Sequence, residues 1–257
     1  MIVRGEMVLA PYAILMTVLL IVNLLIVAAI LAILDIRPAL SPLRSQNIRA
    51  LLCAGFLTGF LVMSAVLLAI VGTGSAALTG SGQSVTQAVS HCLGWLPFDF
   101  LGATGEELFG RVALLVVAER FVGKPGAALA SGGLFFVDHL GNPGASAVWL
   151  FRLFIQGVLL SYAVFRTRSV WWSAGYHTGW NWASAPVFGA VGSGYLNYGH
   201  ALNFVPTGSV LITGGAVGPE GSLFSFVAMF VAFLMLRRFT RDDIVSTDVG
   251  TYRLPLA

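Results

Sequence analysis

The sequence predicts an all-α, polytopic integral membrane bundle of about seven transmembrane helices. Three observations carry that expectation. Of 257 residues, 57% are hydrophobic and 10% charged, against about 25% charged in soluble domains. The mean hydropathy is +0.88. Between Leu51 and Phe98 there is no Asp, Glu, Lys or Arg at all. The net charge of +3 and pI near 9.1 require no nucleic-acid partner. Basic residues collected in short loops beside membrane lipids account for them.

The spans read, in order, near 8–34, 50–71, 93–118, 125–141, 147–165, 170–190 and 221–237. The first is too long for the apolar stretch of a secretory signal, about 7–15 residues. Arg37, Arg44 and Arg49 follow it as a stop-transfer pattern, so it is expected to be retained. Arg120 and Lys124 follow the third span, Arg166 and Arg168 the fifth, and Arg237, Arg238 and Arg241 the last. The loops 72–92 and 191–220 hold no Lys or Arg. Cationic loops face the cytoplasm, which places the N-terminus outside and the C-terminus in the cytoplasm, in a bacterial inner membrane. Trp171 and Trp172 read as interfacial anchors. The loop 72–92, rich in Gly, Ser, Thr and Gln, reads as a flexible surface connection, and the loop 191–220 is Gly-rich with aromatic residues. Cys53 and Cys92 have no metal or redox spacing and read as unpaired. The whole chain, 1–257, reads as one membrane-embedded domain with a core near 93–190.

Charge inside the bilayer is costly, about 2.5–3.5 kcal/mol per group at the centre, and such groups usually face a bundle interior or a wet cavity. Here they are Glu106, Glu107 and Arg111 in span three, Asp138 and His139 in span four, and His177 and Asn181 in span six. Glu107 and Arg111 are four apart with the acid first, the favoured order for a helical ion pair. Glu106 is turned about 100° away and needs a partner on another helix. Phe135 and His139 share a face, as do His177 and Asn181. A carboxylate and an imidazole meeting at one water make a general base. A second imidazole and an amide can donate to a tetrahedral oxyanion. Together these groups suit hydrolysis of a peptide bond by an activated water.

The motifs Glu106-Glu107-x-x-x-Arg111, Phe135-x-x-x-His139 and His177-x-x-x-Asn181, in this order, resemble the CAAX-prenyl-protease and bacteriocin-processing family of intramembrane endopeptidases. The resemblance covers about 102–186. It implies that Glu106 and His139 activate the water, that His177 and Asn181 stabilise the oxyanion, and that Glu107 and Arg111, with Phe135, hold the site together. Family members often read E-E-x-x-F-R-G, whereas here Phe109 and Gly110 precede Arg111 and Val112 follows it, which puts the packing around the arginine in question. The stretch "GPEGS" resembles a segment of some bacterial members, although Glu220 reads as an ordinary acid at a helix N-terminus. The implied partner is a peptide or membrane-protein substrate.

Zinc is the one cofactor to weigh. Glu106, His139 and His177 would supply three ligands and leave an open position, yet no H-E-x-x-H occurs, and the glutamate–histidine mechanism requires no metal. The competing readings are a non-catalytic membrane scaffold or bacteriocin-immunity protein of the same fold, and a proton-coupled transporter. The transporter lacks the repeated halves that its class commonly shows, and no G-x-S-x-G supports a serine protease. Asp138 is expected to support the site or meet Arg152, which otherwise snorkels to the interface. His91 and His200 are expected to be solvated in loops.

Overall fold

The computed structural model describes residues 2–3, 6–33, 42–45 and 47–240. Arg37 and Arg241, two of the cations used above, lie outside the described residues. The helices are α1 (Leu9–Ile33), α2 (Ile48–Gly72), α3 (Val85–Glu107), α4 (Leu115–Asp138), α5 (Ala147–Thr167), α6 (Trp171–Trp182), the short α7 (Val210–Thr213) and α8 (Leu223–Phe239). Leu9–Ile30, Ile48–Gly72 and Ala147–Thr167 are long and apolar enough to cross a membrane by themselves. The protein is an integral membrane helical protein. The remaining helices carry polar groups or are short, so they depend on packing against these three.

Span three does not begin at residue 93. Ser84 caps α3 by accepting from the Gln87 backbone N–H, and the Gln87 side chain accepts from the Ser84 N–H, a reciprocal cap that fixes the start of the helix. The helix then runs through a π-helical stretch, Leu108–Leu114, directly into α4. The path breaks at Gly123, whose φ of 66° suits only a residue without Cβ. Pro125, which lacks an N–H, follows that break. The break falls between the third and fourth sequence spans.

The loop 72–92 is not a flexible connection, because it pairs with the other cation-free loop, 191–220. Within them β3 (Ala76–Gly80) pairs antiparallel with β5 (Leu202–Pro206), from Ala76 opposite Pro206 to Gly80 opposite Leu202. Near the N-terminus, β1 (Ile2–Val3) pairs with β2 (Glu6–Met7), and β2 pairs parallel with β4 (Leu196–Asn197). These pairings bring the N-terminal strands and both loops to one end of the bundle. At the other end, Arg166 donates to Thr240 and to the Arg237 carbonyl, Lys124 lies over the Phe165 ring, and the Val170 N–H donates to the Pro42 carbonyl.

The closest helix contact is between α2 and α6. A Cβ on Gly55 or Gly59 would collide with the Trp172 or Tyr176 carbonyl of α6, and one on Gly175 or Gly179 with the Leu52 or Phe56 carbonyl of α2. Each helix therefore contributes a Gly-x-x-x-Gly face, the pattern that lets backbones touch in an apolar solvent. Residues 175 and 179 look toward α2, and His177, two positions on, is turned to the opposite side. Trp172 is not an interfacial anchor: it is fully buried and stacks on Tyr176 at 5.4 Å. By contrast α1 presents Ile14, Val18, Leu25 and Ile33 outward, as a lipid-facing helix does.

Candidate active site

The end of α3 sends its two glutamates to different surroundings. Glu107 is fully buried, with Oε2 3.3 Å from Arg111 Nε. This is an ion contact rather than an aligned hydrogen bond, because Nε finds no acceptor of good geometry. The Arg111 guanidinium also lies over the Phe135 ring, 4.8 Å from its centroid, a cation–π contact that eases its burial. Glu106 keeps 35% of its side chain exposed, and it lines a cavity of about 220 Å³ between α1, α3 and α4. Arg111, Ser131, Phe135 and Asp138 share that wall. Local π-helix is rare and is found disproportionately at functional sites. Here one stretch carries Arg111, and a second, Ala183–Val187, begins two residues after Asn181.

His177 sits between the two carboxylates. Its Nδ1 is 3.1 Å from Glu107 Oε1, and its Nε2 is 3.9 Å from Glu106 Oε2. The first contact is a hydrogen bond and fixes the proton on Nδ1, since a carboxylate accepts. The second is too long for a direct hydrogen bond, and both atoms can reach one water placed beside them. His139 lies at the C-terminal end of α4, with Nδ1 2.9 Å from the Phe135 carbonyl. That carbonyl accepts, so Nδ1 carries the proton and Nε2 is free. The Phe135 ring separates the two imidazoles, 4.8 Å from His139 and 5.7 Å from His177, centroid to centroid. Asn181 is half-buried one turn beyond His177 on α6.

The structure therefore brings Glu106, Glu107, Arg111, Phe135, His139 and His177 into one connected group. Asp138 is exposed and lines the same cavity; it does not meet Arg152. Arg152 does not snorkel. It is buried in α5, over the Trp180 ring at 4.4 Å, with Nη1 3.8 Å from Glu220 Oε2. Nor is Glu220 an ordinary helix N-terminal acid. It is buried in a 3₁₀ turn, Pro219–Gly221, and accepts from Trp149 Nε1, Trp180 Nε1 and Ser193 Oγ. His91 belongs to α3 and meets Gln83 Oε1 at 2.5 Å, while His200 bonds Asn197 and Asn203. Neither histidine is free in solvent. Cys53 and Cys92 are free thiols, as their spacing indicates.

Sequence reasoning missed Asp99. It is buried in α3, and its Oδ2 has no hydrogen-bond partner among the described residues. It precedes Glu106 by seven residues, two helical turns on the same face. That seven-residue spacing was visible in the sequence.

The conditional zinc set does not fit. Among the described residues no three His, Cys, Asp or Glu side chains converge as ligands, and the Phe135 ring stands between the two imidazoles.

No curated protein and no solved structure matches the chain. Over residues 88–183, which hold all three motifs, it matches the family described as type II CAAX prenyl endopeptidase Rce1-like, in agreement with the resemblance that those motifs carry.

Proposed function

We propose that the protein is an intramembrane endopeptidase in which Glu106 and His139 activate a water and His177 and Asn181 receive the oxyanion. The observation that carries this reading is the contrast between the Nδ1 partners of the two imidazoles. His139 gives its Nδ1 proton to a neutral carbonyl, which leaves Nε2 as a lone pair able to accept from water. His177 gives its Nδ1 proton to the buried Glu107 carboxylate. That carboxylate stabilises the imidazolium form, whose Nε2–H can donate to developing negative charge.

The chemistry then balances. Glu106 takes one proton from the water as its oxygen bonds to the scissile carbonyl carbon. The carbonyl oxygen becomes an anion that accepts from His177 Nε2–H and the Asn181 amide. Collapse of this intermediate breaks the C–N bond, and Glu106 passes its proton to the departing amine. Arg111 and Glu107 take no proton; they hold His177. The substrate is a membrane-associated or lipidated peptide or a membrane protein, approaching a site that lies within the bundle. The gathering of both cation-free loops at one end supports an orientation with that end and the N-terminus outside and the C-terminus cytoplasmic.

The purified chain in detergent micelles, given a library of quenched fluorogenic apolar peptides, is expected to release new N-termini, and His139→Ala is expected to abolish the release. Equal cleavage by His139→Ala would remove that residue from the mechanism. A folded wild type that cleaves no peptide, whether in micelles or in native membranes, would favour the scaffold reading.

A further inference from the structure

We infer that Glu220 is a positioning residue for the site, acting on His139 through Trp149 and through the turn that follows α4. This rests on the hydrolase reading of His139, and its test is read without any substrate.

Glu220 gathers three hydrogen-bond donors, one from α5, one from α6 and one from the loop that follows α6. Trp149 Nε1 lies 3.2 Å from Oε2, Ser193 Oγ 3.1 Å from Oε2, and Trp180 Nε1 3.2 Å from Oε1. The Arg152 guanidinium, 3.8 Å away, balances the charge. All but Ser193 come from helices that flank the site. A carboxylate this buried is stable only because it is so fully paired, so its position is over-determined.

Two routes lead from it to His139. The first is packing: the Trp149 ring meets the His139 ring edge-on, with centroids 5.8 Å apart. The hydrogen bond from Trp149 Nε1 to Glu220 fixes where that ring stands. The second is the backbone. The His139 carbonyl accepts from the Asn142 N–H, and the Asn142 side chain donates to the Ser193 carbonyl at 2.9 Å. The Ser193 hydroxyl returns to Glu220. His139 ends α4 with φ of −101°, and on the helix side its Nδ1 is bonded to the Phe135 carbonyl and its backbone N–H to the Phe136 carbonyl. Its outer side is therefore set by Trp149 and by this turn. The same carboxylate holds Trp180, which lies between His177 and Asn181 on α6, so one buried anion registers α5 and α6 against each other.

The test is the rate at which diethyl pyrocarbonate modifies each of the four histidines of the full chain in detergent micelles, quantified by peptide mass spectrometry. Two variants are compared with wild type. Glu220→Gln removes the charge, and Trp149→Phe keeps an aromatic ring against His139 but loses the donor. The second protects the experiment if the first does not fold. Modification of His139 is expected to rise several-fold in both, with His91 and His200 unchanged as internal references. Rates that rise together at all four histidines would overturn the inference, because the network would then serve only the fold. An unchanged His139 rate in Trp149→Phe would overturn it as well. Neither result depends on whether a peptide is cleaved, so the inference and the protease reading fail separately.

Discussion

Glu107 Oε1 stands 3.1 Å from His177 Nδ1 while its other oxygen stands 3.3 Å from Arg111 Nε, so one fully buried carboxylate ties the end of α3 to α6. The pairing explains why two glutamates stand side by side. One is consumed in holding the imidazole and the guanidinium, and its neighbour is left facing the cavity.

Glu107→Ala is expected to destabilise the protein by about 3–5 kcal/mol, because it strands a buried guanidinium. Glu107→Gln keeps an acceptor for His177 and is expected to lose less. Thermal unfolding of the purified variants in one detergent measures both. Equal melting temperatures for wild type and Glu107→Ala would contradict the role given to this carboxylate.

The α2–α6 contact makes a prediction about size alone. Gly59→Val drives a side chain into the Tyr176 carbonyl and is expected to lower the melting temperature sharply or prevent folding. Gly133→Ala places its methyl where no atom lies within 4 Å. It is expected to be neutral or to stabilise by up to about 1 kcal/mol, the helix-propensity difference. A tolerated Gly59→Val would show that the two backbones do not touch.

Much of this was legible in the residues, and what was not has physical causes. The Glu107–Arg111 pair follows from helical spacing, and so does the separation of Glu106 from it. Its link to His177 joins residues 70 apart in the chain, which no local periodicity reports. The start of α3 was missed because apolarity was followed, whereas the helix begins where Ser84 and Gln87 cap it. The Gly/Ser/Thr-rich loop was misread because β3 is satisfied by a partner strand more than a hundred residues away. Glu220 read as a helix-end acid because its donors, Trp149 and Trp180, lie 71 and 40 residues off. The repeated glycine spacing of α2 and α6 is present in the sequence, and it marks the faces where the two backbones touch.

Asp99 is a buried carboxylate with an oxygen that no described residue satisfies. Replacing it with the isosteric amide in Asp99→Asn removes a carboxyl whose ionisation burial penalises. The melting temperature is expected to rise or to stay unchanged. A marked fall would mean that Asp99 is stabilised by an interaction that the carboxylate alone can make.

Asn181 is half-buried on the His177 face and carries no structural ion pair. Asn181→Ala is expected to leave the melting temperature near that of wild type and to lower kcat by about 10²–10³, the range for loss of one oxyanion donor. The same kcat as wild type would remove the amide from the oxyanion site.

The most direct test of the account is Glu106→Gln, with turnover of a cleaved fluorogenic peptide and thermal unfolding measured on the same preparation. Glu106 is part-exposed to the cavity, and its nearest cation-forming group is His177 at 3.9 Å, so the amide is expected to fold as the wild type does. Its turnover is expected to fall by at least about 10²-fold, the lower range for a lost general base. A folded Glu106→Gln that cleaves at the wild-type rate would contradict the central claim that this carboxylate activates the water.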